Sequence, residues 1–231
     1  MKRFYKAARA APVAGGLWHV MLDARAVKTP GKQPLILPTL GLAQAIAEEW
    51  QAQGQTVVPD TMALTQYVCS ALDRVAPARA QVIAQASAYA MTDLLAYPTQ
   101  EPAELRALQD ASWQPLLAQL RALGWNVRQT SGLTVIDQDP EVGPRARAWL
   151  ESKSDLALTA QASLIETSGS FFLPYLLAQG AGFAVTDLIK ACTLEERYSL
   201  SRWGHDAEAE QALARREADL SAAAHLLQLL T

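Results

Sequence analysis

The sequence predicts an α+β fold, a small antiparallel sheet with a helix followed by a mostly α-helical bundle that contains one short hairpin. Three observations carry this. Strand formers alternate with turn residues up to Pro38, apolar residues recur at helical spacing through nearly everything after Asp60, and half of the 231 residues are hydrophobic. A chain of this length and composition buries a sizeable core, in one large domain or two small ones. The change of pattern places a small α+β domain over residues 1–60 and a helical domain over residues 61–231.

Leu17–Asp23 is rich in strand formers, Asp23-Ala24-Arg25 is a turn signal, and Ala26–Gly31 supplies a second strand and its end. Leu35, Ile36 and Leu37 lie between Pro34 and Pro38, which suits a third strand at a sheet edge, where a missing amide is tolerated. Next, Leu42, Ala43, Ile46, Ala47 and Trp50 share one face of a helix capped by Thr39 and followed by Gly54. Glu48 and Glu49 point about 100° apart on that helix, so they read as a solvated face and not as a catalytic pair.

Beyond Pro59, Leu64, Tyr67, Val68, Ala71, Leu72 and Val75 form an amphipathic stripe, and Ile83, Ala84, Ala90, Met91, Leu94 and Leu95 continue it after Pro77. Pro102 opens a helix through Leu105, Leu108 and Trp113, which Pro115 kinks or ends, and Gly124 closes the segment. Trp125–Gln129 and Leu133–Ile136 around Thr130-Ser131-Gly132 give a hairpin signal. Helices are then expected over 144–149, 155–164, 171–177, 186–203 and from Asp206 to about Leu230, where Leu213, Leu220, Ala224 and Leu227 make a packing stripe.

Composition excludes several functions. Twenty Lys and Arg against 23 Asp and Glu leave a net charge of -3, without the basic footprint that nucleic acid requires. No apolar run reaches the roughly 18 residues of a membrane span, so no membrane insertion is expected. Met1–Lys6 is basic but leads into Ala, Pro and Gly without the apolar core of an export signal, which makes cytoplasmic residence the expectation. Cys69 and Cys192 lie among apolar residues and read as small buried hydrophobes.

The residues also offer little chemistry. No phosphate-binding loop of the Gly-x-x-x-x-Gly-Lys type occurs, and His19, His205 and His225 share no metal-ligand spacing, so no cofactor is expected. Thr167-Ser168-Gly169-Ser170 is not a nucleophile elbow and reads as close packing and capping by small hydroxyl residues. On a helix over 186–203, Glu196 shares a face with Ile189, Cys192, Ser199 and Trp203, and Glu195 shares one with Leu188, Ala191, Tyr198 and Arg202. Either acid is a partly buried group paired within the chain or one that meets a basic partner at an interface. An enzyme using Glu196 and His205 as acid and base in a helical-bundle pocket is the alternative, and it lacks a third group at suggestive spacing.

Several patterns, taken in order, resemble one family. They are Lys2–Lys6, Leu22–Arg25 with Lys28-Thr29-Pro30, Ala47–Trp50 with Gln53, Met62–Thr65, Tyr89 with Thr92–Leu95 and Tyr97, Gln109 with Trp113 and Pro115, Ser168–Ser170, and Leu194–Glu196 with Trp203-Gly204. Together they resemble the assembly chaperones of the ATP synthase F1 alpha subunit. Ala63 stands where that family usually has proline, and Arg197–Leu200 is less acidic than its usual run. The resemblance implies an orthogonal helical bundle after the α+β domain, and a function without catalysis. Such a protein binds the unassembled alpha subunit, covers the surface that will face beta, and leaves when the hexamer forms, with no nucleotide required. It acts in the bacterial cytoplasm, or in the mitochondrial matrix for a processed eukaryotic member. The family's functional acid falls on Glu195 or Glu196, with Arg202 and Trp203 completing a partner-binding set, while Trp50, Asp93 and Trp113 are structural anchors.

Overall fold

Ala8–Val13 (β1) and Leu17–Leu22 (β2) pair antiparallel along their whole length, Ala8 opposite Leu22 and Val13 opposite Leu17, in a computed structural model that describes all residues except 132–134, Ala181 and His205. Strand propensity does not announce β1, because its residues Ala-Arg-Ala-Ala-Pro-Val are mostly poor strand formers. Pairing with β2 creates it, and Pro12 is admitted because β1 is an edge strand. The reversal between them passes through Gly15 and Gly16, at φ 81° and 75°, a backbone that side chains disfavour. Arg25–Ala26 (β3) and Ile36–Leu37 (β4) both pair with β2, opposite Met21–Leu22 and Trp18–His19 respectively.

Leu40–Gln51 (α1) begins as expected, with the Thr39 hydroxyl accepting the Leu42 N–H at 3.2 Å. Leu42, Ala43, Ile46 and Ala47 are buried in one core with Val20, Leu22, Leu35 and Leu37 of the sheet region. Trp50 packs partly buried against this core, its ring meeting Tyr5 edge-on at 5.7 Å while the Tyr5 hydroxyl donates to the Trp50 carbonyl at 2.7 Å. Glu49 is not a solvated residue. Its carboxylate accepts the N–H groups of Leu64 and Thr65 at 2.7 and 2.8 Å, and so caps Ala63–Ser70 (α2). A carboxylate there meets otherwise unpaired donors and the positive helix end. A π-helical turn, Ala71–Val75, continues α2.

The core described so far belongs to a compact unit of Met1–Arg79, Lys153–Ala160 and Ala222–Thr231; the other unit is Ala80–Ser152 with Gln161–Ser221. The first unit therefore extends beyond residue 60 and takes in segments from within 61–231. The physical reason is burial: Leu64, Val68, Ala160 and Leu226 lie in the same core cluster as the sheet.

The second unit is helical among its described residues. Its elements are Arg79–Ala88 (α3, from its second residue), Ala103–Ala122 (α4), Val142–Glu151 (α5), Asp155–Ser168 (α6, from Gln161), Phe172–Gln179 (α7), Val185–Cys192 (α8), Leu194–Trp203 (α9) and Ala207–Leu229 (α10, to Ser221). Pro115 neither ends nor divides α4. It lies on the exposed face, where the carbonyl it leaves free can meet water. No helix among the described residues is long and apolar enough to cross a membrane.

Three expectations need correction. The helical stripe through Leu95 breaks after α3 into two short 3-10 turns on either side of Thr92-Asp93. The helix expected over 186–203 is two helices, interrupted at Thr193. The hydroxyl of this buried residue donates to the Ile189 carbonyl at 2.7 Å, a local bond that competes with a continuous helix. The first arm of the expected hairpin, Trp125–Gln129, is not a strand, and residues 132–134, where its second arm would begin, lie outside the described residues. Trp125 instead enters an aromatic cluster with Phe171, Phe172 and Tyr175, under the Arg145 guanidinium at 4.1 Å. The Gln138 side chain bonds both the N–H and the carbonyl of Arg128 at 2.9 Å, in place of a partner strand.

Asp93 is completely buried. Its carboxylate accepts the N–H groups of Leu95, Phe171 and Phe172 at 3.0, 2.7 and 3.1 Å and the Ser170 hydroxyl at 2.9 Å. Ser170 Oγ in turn accepts the Leu173 N–H at 3.0 Å, so one acid and one serine satisfy the start of α7. The reading of Ser168–Ser170 as capping and packing residues holds, since the Ser168 hydroxyl also accepts the Ser170 N–H. Trp113, 1% exposed, joins α4 to α8 through an indole N–H bond to the Ala191 carbonyl at 3.0 Å.

Two predictions follow from these anchors. Trp50→Arg replaces a large apolar contact with a charge and should lower stability by about 3 kcal/mol in urea unfolding, with a change under 1 kcal/mol contradicting an anchoring role. Asp93→Ala leaves the N–H groups of Leu95, Phe171 and Phe172 without their acceptor and should cost about 2–4 kcal/mol near pH 5, and Asp93→Asn is the reference that does not titrate. Burial pushes the Asp93 carboxyl up to about 6 from 3.8 against the pull of its donors, so the folded state holds the proton more tightly than the unfolded chain. The acid's contribution is then fully present below about pH 4 and declines as pH rises through about 6, by about 3 kcal/mol relative to the Asn variant. Parallel unfolding curves from pH 4 to pH 7 measure this, and a flat difference contradicts it.

Candidate functional site

α9 has no buried residue, and positions 207–212 at the start of α10 are exposed throughout. The apolar side chains of this pair therefore add little to the core. Leu200, Trp203, Ala209, Ala212 and Leu213 instead line an open cleft of about 740 Å³ between α9 and α10, together with Glu195, Glu196, Asp206 and Arg216. Trp203, 86% exposed, is the most exposed large hydrophobic side chain among the described residues. Gly204, at φ 92°, ends α9 directly after it.

Polar contacts hold α9 on two sides. Toward α10, Glu196 pairs with Arg216 and Arg197 with Glu217. Arg216 also donates to the carbonyls of Thr167 at 2.9 Å and Ser168 at 3.4 Å, where a cation complements the C-terminal end of α6. Toward α4, Glu195 accepts from the Gln109 amide at 2.7 Å, and Glu104 accepts the Tyr198 hydroxyl at 3.1 Å and lies 3.5 Å from Arg202. Desolvation and the Glu104 carboxylate raise the Tyr198 phenol above its ordinary value.

The expected faces therefore hold within α9 but stop at Thr193. Tyr198 and Arg202 turn to α4, Glu196, Ser199 and Trp203 line the cleft, and Glu195 both accepts from Gln109 of α4 and borders the cleft. All four expected partner-binding residues lie on this one helix, but the cleft brings together only Glu195, Glu196 and Trp203, while Arg202 lies against Glu104 of α4. Sequence reasoning gave Gln109 only as part of the family pattern, without a site role, and missed Glu104 and Arg216. Gln109 had a signal, as a polar residue at i+4 between Leu105 and Trp113 on an apolar stripe, and it is fully buried. Arg216 had none, because its contacts are with residues distant in sequence.

Among the described residues, nothing in this arrangement resembles a reaction centre. The Glu196 carboxylate is committed to Arg216, and His205 lies outside the described residues. Among the described residues no three His, Cys, Asp or Glu side chains are placed to hold a metal ion.

A family model described as ATP12 chaperone protein matches residues 2–121, just over half of the sequence. The chain belongs to the ATP12 chaperone family. Two solved structures from Paracoccus denitrificans, a crystal structure of Atp12 and an Asp-to-Lys mutant of Atp12p, are each 36% identical. Each has a TM-score of 0.92 over 100% of this chain and 98% of that one. A chaperone candidate from Agrobacterium tumefaciens is 31% identical, with a TM-score of 0.93 over 100% of this chain and 86% of its own. The ATP12 proteins are ATP synthase assembly chaperones and not enzymes, which overturns the alternative that paired Glu196 with His205 as acid and base. The family match includes the anchors Trp50, Asp93 and Trp113 and ends before α9, while the structural likeness to Atp12 runs the full length.

The Glu196–Arg216 pair is partly exposed, so its coupling is modest. A double-mutant cycle of Glu196→Gln and Arg216→Gln, read in urea unfolding, should give about 1 kcal/mol. Additivity of the two losses would mean that the pair does not fasten α9 to α10.

Proposed function

We propose that this ATP synthase assembly chaperone binds the unassembled F1 alpha subunit, covers the surface that later faces beta, and is displaced when beta arrives. Glu195, Glu196, Arg202 and Trp203 are the proposed client-contacting residues. The observation that supports this best is Trp203, a large apolar side chain kept 86% exposed on a helix that buries nothing. Tryptophan in such a position is a characteristic anchor of protein interfaces.

The chemistry required is modest. A lone subunit presents an apolar face that promotes aggregation, and a complementary cover suppresses it. Release needs no nucleotide, because a partner of higher affinity for the same surface displaces the cover by mass action. The reading places the protein where the F1 sector is assembled, the bacterial cytoplasm or the mitochondrial matrix.

The test is dilution of denatured alpha subunit with and without the full chain. Turbidity should fall at equimolar chaperone, and added beta subunit should free the chaperone from a soluble alpha complex. Trp203→Ala and Glu196→Lys should retain the wild-type circular dichroism yet bind alpha about tenfold more weakly or worse. Undiminished protection by both variants would remove α9 from the interface, and failure of the wild type to protect would remove the alpha subunit as client.

A further inference from the structure

The cleft between α9 and α10 combines an apolar lining with an acidic edge, and three arginines beside it already have partners. Arg216 is bonded to Glu196 and to two carbonyls, Arg197 to Glu217, and Arg202 to Glu104. Glu195 is held only by the neutral amide of Gln109 among the contacts described, so its negative charge stays uncompensated. Asp206 accepts the N–H groups of Glu208 and Ala209 at 3.0 and 3.1 Å, which leaves its charge at the mouth of the cleft. Glu208 follows it, exposed, in the first turn of α10.

Between these acids lie Leu200, Trp203, Ala209, Ala212 and Leu213. The small residues Ala209 and Ala212 are neighbours at i+3 on α10, and they keep the groove open for the side chains of a visitor. Two helices that leave an apolar groove between them accept a third helix by its apolar face.

We propose that this cleft receives a short amphipathic helical segment of the client that carries Lys or Arg beside its apolar face. The inference rests on the chaperone reading above and specifies which chemistry on the client is recognised. The apolar stripe would lie against Trp203 and Leu213, and the basic residue would meet Glu195 or Asp206. Opposite charge at the rim steers the encounter and fixes the register, and burial of Trp203 supplies the affinity.

The test uses two labelled amphipathic peptides of equal length, one of Leu and Lys and one of Leu and Glu, titrated into the full chain by fluorescence anisotropy. The Lys peptide should bind at least about tenfold more tightly than the Glu peptide, and its binding should weaken with added salt. Ala212→Gln is an exposed helical position where the longer side chain fills the groove without altering the charge, and it should reduce Lys-peptide binding about tenfold with unchanged circular dichroism. Equal affinity for the two peptides, or unaltered binding by Ala212→Gln, overturns the inference. Alpha-subunit turbidity, measured in parallel, judges the chaperone reading separately. Protection by the wild type and by Ala212→Gln alike would show that the client docks elsewhere, overturning the cleft while sparing the function. Cleft-dependent binding of the Lys peptide without any protection of alpha would support the cleft's specificity and overturn the client.

Discussion

The helical unit depends on a buried carboxylate. Asp93 receives hydrogen bonds from Leu95 in its own segment and from Ser170, Phe171 and Phe172 in another, 77 to 79 positions away. Without it the N–H groups at the start of α7 would be buried unpaired, and each such group costs about 1–3 kcal/mol. The same contact brings Phe171 and Phe172 to the cluster around Trp125, so polar satisfaction and aromatic packing reinforce each other. A second pair of anchors lies in the middle of α4: Trp113 bonds to α8 and Gln109 to α9.

That framework explains how a helix without a buried residue keeps a defined position. α9 is held at its edges, by Gln109 and Glu104 on one side and by Arg216 and Glu217 on the other, and its apolar residues remain available. Such an arrangement would be wasteful in an enzyme pocket, where polar groups converge on a reacting atom. On the proposed function it suits the task, because there the apolar surface must reach a partner and the polar contacts must fix where that surface points.

The chaperone role also sets a limit on affinity. On the proposed reading, a cover that is later displaced must bind more weakly than the final subunit, which a small exposed contact centred on one tryptophan suits better than an extensive apolar face. Partly exposed ion pairs around the contact add orientation more than binding energy.

Much of the protein was legible in its sequence because the relevant signals are local. The apolar stripe of α1, the Thr39 cap, the strand at Leu17–Leu22 and the two faces of α9, Glu196 with Trp203 and Glu195 with Arg202, all follow from periodicities within a few turns of chain. Motif order likewise pointed to the chaperone family. Tertiary structure alone decided the rest, wherever a residue's role is set by a partner far along the chain. β1 exists because β2 pairs with it, Glu49 is a cap because α2 begins beside it, and Glu196 meets Arg216 across two helices. Asp93 lies between these cases: its motif marks it, yet only the fold shows which donors it satisfies. Local propensity is a property of neighbouring side chains and can be read in order, whereas a buried polar group is stable only where distant donors converge, and that convergence is created by folding.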